Sequence, residues 1–497
     1  MSDISPKPVI YEIDTFVWLQ RLTAKYGRRI GLSNVPPEEW DRLGKLDCDA
    51  VWLMGVWQRS PEGRRIALST PELLSEYRRI LPGFTEDDIP GSPYSVRDYR
   101  VDERLGSIAE ARAALAERGL KLILDFVPNH VAPDHDWVSA HPEYFIQGNA
   151  ADLAKSPGGY FEAGNHVIAH GRDPYFPAWT DTAQVNAFSP GLRAAAARTL
   201  RDIATQCDGV RCDMAMLLLN DVVKKIWSTA AGETPATEYW HDVIGSVRQT
   251  APDFLFIAEA YWNREWDLQQ LGFDYCYDKR LYDRLLREDA GSVRLHLSAP
   301  LPYQNKLLRF LENHDEQRAA AALSLERHKA AAVAIATLPG AVLYYEGEFD
   351  GWKIKLPVQL GRGPMEPRNT DLYEFYGRLR SASKTVKNAA IAWTLTPAEG
   401  WPGNETNTSL LAWCWEGKQD KFLVVINFAA SPSQSRIKIP WRDVAGKQWR
   451  LTDLMGSGAV YCDGNELQTD GLYVAFQAWQ FYVLQLTEKS GASSALL

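Results

Sequence analysis

Cys207–Asp208–Gly209–Val210–Arg211–Cys212–Asp213–Met214 reads as a buried strand that ends in a carboxylate. Arg211 and Asp213 are two positions apart, so on a strand both point to the same side. A packed core gains nothing from a cation and an acid at one strand end unless the pair is solvated or used. That placement suits an acid that works in an ionised state. Three more acids end apolar runs elsewhere, Asp125, Glu259 and Asp315, and together they point to chemistry rather than to packing.

Working outward, similar apolar runs alternate with helical segments over most of the chain. They are Val9–Ile13, Ala50–Met54, Leu120–Val127, Gly209–Met214, Phe254–Ala258, Phe273–Tyr277, Leu307–Leu311 and Ala341–Tyr345. Eight strand-like runs separated by helices predict a closed parallel β/α barrel. Helices are expected at Gly106–Gly119, at Gly191–Gln206 behind a Ser189–Pro190 cap, and as one run over Arg318–Leu338. A Pro-, Gly-, His- and Asp-rich stretch after the third run reads as an inserted subdomain over residues 131–185. The barrel then comprises residues 1–130 and 186–384. From residue 385 to 490 the pattern changes to short aromatic strands between turns, which predicts an antiparallel β-sandwich. Ser490–Leu497 reads as a loose tail.

With 497 residues, 45% apolar and 24% charged, the chain has the composition of a folded globular protein of more than one domain. A net charge of −9 argues against nucleic acid or an anionic membrane surface as partner. The 18 Trp and 21 Tyr suit stacking on sugars, and equally suit core packing. Cys48, Cys207, Cys212, Cys276, Cys414 and Cys462 lie mostly in apolar runs without ligand spacing, as reduced buried thiols would. The first residues show no apolar signal core and no run has membrane-spanning length, so a cytoplasmic location is expected.

Catalytic groups of such a barrel come from the carboxyl ends of its strands, where the loops share one mouth. Asp125, Asp213, Glu259 and Asp315 all fall there, with His130, Arg211 and His314. Glycosidic cleavage needs two carboxyl groups in different protonation states. Arg211 beside Asp213 is expected to lower its pKa, and the apolar, aromatic surroundings of Glu259 are expected to raise that of Glu259.

These segments resemble the four short sequence regions of the α-amylase family of retaining glycosidases and transglycosidases. The matching stretches are Asp125–Phe126–Val127–Pro128–Asn129–His130, Gly209–Val210–Arg211–Cys212–Asp213, Ile257–Ala258–Glu259–Ala260 and Glu312–Asn313–His314–Asp315. Trp179–Asn186 resembles a further segment late in the family's inserted domain. The resemblance implies a (β/α)8 TIM barrel, an α-glucan or maltooligosaccharide substrate, and Asp213 as nucleophile positioned by Arg211. It implies Glu259 as general acid and base, and Asp315 as the carboxylate that stabilises the transition state. His130, His314 and Tyr94 would contact the sugar on the non-reducing side of the cut, with Asp125 as a supporting carboxylate. Many members carry a Lys–His pair after the nucleophile that helps hold a sugar and a calcium ion; here Met216 and Leu217 replace it. Asn129 is the one residue that points to calcium, and no cofactor is required. Arg362 and Arg368 follow the eighth run, where cations could meet a charged substrate or be simply solvated. Hydrolysis and transfer to a sugar or phosphate acceptor remain two readings, beside a non-enzymatic glucan binder. The sequence carries no reading of oligomeric state.

Overall fold

The computed structural model of the protein describes residues 7–489. Its centre is a closed barrel of eight parallel strands. These are β1 (Val9–Asp14), β2 (Ala50–Met54), β3 (Lys121–Phe126), β4 (Gly209–Cys212), β5 (Leu255–Ala258), β6 (Tyr275–Tyr277), β7 (Leu307–Arg309) and β8 (Ala341–Tyr345). Every strand pairs with its sequence neighbours, and β1 closes the seam against β8, with Glu12 opposite Tyr345. The strands read as continuous apolar runs because both faces are buried, by the barrel interior and by the helix ring. Ile10, Trp52, Ile123, Ile257, Tyr277, Phe310 and Leu343 fill the interior.

β4 runs between β3 and β5, with Arg211 in register with Asp125 and Ile257. Its first residue must be small: a Cβ at Gly209 would stand 2.7 Å from Leu255 Cβ and 2.8 Å from Leu255 O. The strand ends at Cys212, before the expected Met214, because Met214 takes a left-handed φ of 43°. The single helix expected over Arg318–Leu338 is two helices, Ala319–Ala322 and Leu325–Thr337. Ser324 causes the break: its side chain caps the second helix by accepting the Arg327 N–H. The last barrel helix, Thr370–Ala389, crosses the boundary expected at residue 384, and the next strand starts at Ala392.

After β3 the chain forms a small sheet of Gln147–Gly148, Tyr160–Ala163 and His166–Ala169. The strand His130–Val131 pairs with Ala183–Gln184 at the base of this stretch. Val131, Phe145, Ile168 and Val185 form its own apolar core. Beyond the barrel, a six-stranded and a three-stranded antiparallel sheet form the C-terminal sandwich. The strand Leu410–Glu416 shows the alternation that joins the two units. Trp413 and Trp415 face the barrel's apolar cluster, whereas Ala412 and Cys414 face the sandwich core. Trp415 Nε1 also donates to Thr337 O at 2.7 Å, tying the sheet to a barrel helix. All six cysteines are unpaired thiols. Among the described residues no helix is long and apolar enough to cross a membrane.

Candidate active site

The carboxyl ends of the barrel strands open into a cavity of about 810 Å³ that Asp213, Glu259 and Asp315 all line. Arg211, on β4, stands behind them and is 1% exposed. Its Nη1 donates to Asp213 Oδ1 at 2.8 Å, and its Nη2 lies 2.8 Å from Glu259 Oε2 and 3.8 Å from Asp315 Oδ2. One guanidinium therefore hydrogen-bonds Asp213, stands in ion-pair contact with Glu259 and lies close to Asp315. Nε of Arg211 donates to Tyr277 OH at 3.2 Å, which fixes the plane of the fork.

The protonation pattern departs from the sequence-based expectation. Burial, then the charge of Glu259, push Asp213 up to about 8 against the pull of Arg211. Arg211 does not hold Asp213 below the usual carboxylate range, because Asp213 is buried and the charge of Glu259 stands beside it. The setting of Glu259 is polar rather than apolar. Its Oε2 accepts the Met214 N–H at 2.6 Å, and its Oε1 accepts the Tyr261 hydroxyl at 2.7 Å. The left-handed turn at Met214 is what presents that N–H to the next strand's acid.

Asp315 has the opposite balance. Burial pushes it up, but His314, Arg211 and Lys355 together hold it well below the usual carboxylate range. His314 Nε2 lies 2.9 Å from Asp315 Oδ2, and its Nδ1 is bonded to Glu12 on β1. Burial would neutralise this imidazole, yet the charges of Asp315 and Glu12 raise it well above the usual histidine value. It is a buried cation between two acids.

Tyr94 lines the cavity, stacks on His314 with ring centroids 5.4 Å apart, and its hydroxyl meets His314 Nε2 at 2.5 Å. His130 lines the cavity beside Trp179, and burial lowers it to about 4, so it is a neutral hydrogen-bonding group. Asp125 is not brought into the cavity. It sits next to Arg211 in the sheet, but its Oδ2 accepts the Gly55 N–H at 2.7 Å and Oδ1 has no partner. Its role is to hold the turn after β2. Asn129 is buried against Gln184: its Oδ1 accepts from Gln184 Nε2 at 3.0 Å, and its own amide donates to Gln184 Oε1. Among the described residues no group of three or more His, Cys, Asp or Glu stands together as a cation cage. Met216 and Leu217 are buried in the barrel's apolar cluster. Arg362 and Arg368 are paired with Asp88 and Asp350.

Sequence reasoning missed Glu12, Tyr261 and the backbone of Met214. A signal existed for Glu12, a lone acid within an apolar run, and for Tyr261, which follows Glu259 at a two-residue interval. None existed for Met214, whose contribution is a backbone angle.

No protein-family model matches the chain. It is 23% identical over 380 residues to "Alpha-amylase 3" of Dictyoglomus thermophilum, covering 70% of this chain and 66% of that one. It is 24% identical over 412 residues to "Alpha-amylase MalA" of Haloarcula japonica, covering 79% and 52%. It thus spans just under two thirds and about half of these curated relatives' lengths. A shorter similarity, 27% over 185 residues and 35% of this chain, connects it to 20% of the "Alpha-1,4-glucan:maltose-1-phosphate maltosyltransferase" of Bifidobacterium longum. In fold it is similar to the maltogenic α-amylase AmyB of Thermotoga neapolitana, with a TM-score of 0.69, 17% identity and coverage of 97% and 99%.

Proposed function

We infer that this chain, a member of the α-amylase family of β/α-barrel enzymes, cleaves α-glucosidic bonds in α-glucans or maltooligosaccharides with retention of configuration. The observation that carries this reading is the clasp of Asp213 and Glu259 by one Arg211 fork, with Asp315 in the same cavity. Two carboxylates held by adjacent nitrogens of one guanidinium stand close together. That is the short spacing of a nucleophile–acid pair, without the wider gap in which an inverting enzyme seats a water.

Asp213 attacks the anomeric carbon while Glu259 gives its proton to the leaving oxygen. The C–O bond to the leaving group breaks and an ester to Asp213 forms. Glu259, now ionised, takes a proton from water, whose oxygen attacks the same carbon and releases Asp213. Asp315, ionised by its contact with His314, faces the developing positive charge on the sugar ring. Tyr94 and His130 line the wall that the sugar meets. Burial, then the charge of Glu259, favour the neutral form of Asp213 in the free protein, and the attack requires it ionised. A cationic anomeric carbon beside Asp213 favours its ionised form in the transition state.

One observation favours a second reading, transfer of the glycosyl unit to another acceptor. Lys279 and Arg280 line the same acid-rich cavity, Lys279 paired with Asp283 and Glu316, and Lys355 donates to the backbone oxygen of Asp315. Such cations suit a phosphate-bearing partner, and the similarity to maltosyltransferases lies in the same direction. The unpaired thiols suit a reducing compartment, so we place the reaction in the cytoplasm.

Proton NMR of maltooligosaccharide cleavage tests the main reading. The α-anomer is expected as first product, and Asp213→Asn abolishes it. First appearance of the β-anomer, or full activity in that variant, would sink the assignment. Adding maltose or inorganic phosphate separates hydrolysis from transfer, by the appearance of longer oligosaccharides or of a sugar phosphate.

A further inference from the structure

A second cavity, of about 920 Å³, lies beside the catalytic one and has no part in the chemistry above. Arg29, Arg59, Arg64, Arg104 and Arg362 line it, against only Asp87 and Asp88. In a chain whose net charge is −9, this is a local concentration of the opposite sign. Two of the arginines already have acidic partners: Arg362 is paired with Asp88 at 2.6 Å and Arg104 with Asp102 at 2.7 Å.

Arg59 is different. It is 6% exposed, its Nη1 donates to the backbone oxygens of Gly91 and Val358, and its Nε and Nη2 have no hydrogen-bond partner and are enclosed by the protein, so that its charge rather than its N–H groups is left to compensate. It lies over Phe16 at 4.3 Å, and Arg104 approaches the same ring at 4.9 Å. Asp14 and Asp102 act on it only at a distance, and its burial brings it down to about 10. A buried guanidinium with no ion-pair partner is costly, and a nearby anion is the simplest compensation. Guanidinium groups suit the oxygens of phosphates and carboxylates alike, and a phosphate, with up to two charges, answers an excess of several arginines best.

We propose that this cavity is a binding site for a phosphorylated small molecule, whose phosphate takes the charge of Arg59 and Arg64. Arg64 is already oriented, since its Nε and Nη2 donate at 2.8 Å to the backbone oxygens of Ile89 and Glu86. The site also borders the catalytic cavity along two strips of chain. Ile89 and Pro90 line the second cavity and Ser92 and Tyr94 the first, while Gly361 and Arg362 line the second and Val358 and Gln359 the first. An anion held there bears on the wall that carries Tyr94.

Titration of the whole chain with inorganic phosphate, pyrophosphate and glucose 6-phosphate, read by calorimetry and by the thermal midpoint, tests this. Saturable binding and a raised midpoint are expected. Gln20→Glu places a negative charge on the cavity wall without removing a contact made by Arg59, and it should weaken binding by about tenfold or more. Arg64→Gln should do the same, whereas Lys279→Gln, in the catalytic cavity, should leave the affinity unchanged. Tighter binding of glucose 6-phosphate than of phosphate means that the sugar is held too, and equal binding means that the phosphate alone is read. Absence of saturable binding by all three probes overturns the proposal. So does binding lost in Lys279→Gln but kept in both Gln20→Glu and Arg64→Gln.

Discussion

At the scale of single residues, the site is a set of carboxyl groups whose charges are set by what touches them. Glu259 is held by a backbone N–H, a tyrosine hydroxyl and a guanidinium, so its position outlasts the loss of its charge. Glu259→Gln keeps that position and removes the transferable proton; kcat should fall by about 10²–10⁴-fold with KM little changed, as steady-state kinetics on a maltooligosaccharide would show. Asp213 carries a different cost. Its pKa rises from the ordinary 3.8 to about 8 on folding, chiefly through burial. A carboxyl raised in this way favours the folded state fully below its unfolded pKa, and that contribution is lost as pH climbs through the folded value. Asp213→Asn cannot ionise and loses nothing over that range. Its melting temperature should therefore gain on the wild type progressively from about pH 4 to about pH 8, in calorimetry at several pH values. The grouping of Asp213, Glu259 and Asp315 around Arg211 was legible in the sequence, because each acid ends or follows an apolar strand run. Their protonation was not, since it depends on Glu259 sharing Arg211 with Asp213, a contact between separate strands. Asp125 shows the same limit: its place beside Arg211 was readable, and its bond to Gly55 was not.

At the scale of elements, β4 positions the site because three constraints act on four residues. Gly209 lets the strand lie close to β5, Arg211 points to the mouth, and the turn at Met214 ends the strand where its N–H reaches Glu259. Gly209→Ala would press its methyl against Leu255 and part the two strands. A loss of about 1–3 kcal/mol is expected in urea unfolding, with a fall in kcat from a loosened Arg211 clasp. The eight strands were legible because parallel barrel strands are apolar on both faces. The break in the helix over Arg318–Leu338 was not, since an alanine-rich run hides a serine cap within it. The domain boundary expected at residue 384 falls inside the last barrel helix, which runs on to Ala389.

At the scale of the whole molecule, the sandwich and the barrel share one apolar cluster, joined through Trp413, Trp415, Phe422 and Val424. Trp413 is fully buried at that junction. Trp413→Ala should cost about 3–5 kcal/mol and split one thermal transition into two, as calorimetry would resolve. The two-sheet class of this region was legible from alternation, but which face of Leu410–Glu416 meets the barrel was not, because both faces are apolar. The bond from Glu12 to His314 has a further consequence. Glu12 belongs to the first strand and His314 to the loop after the seventh, so the ionised state of Asp315 depends on two distant stretches of chain having met. A refolding chain can form most of its barrel, and much of its tryptophan signal, while the seam between first and last strands is still open. Catalysis should then return last, lagging behind fluorescence in stopped-flow refolding, and the enzyme would serve as its own gauge of ring closure.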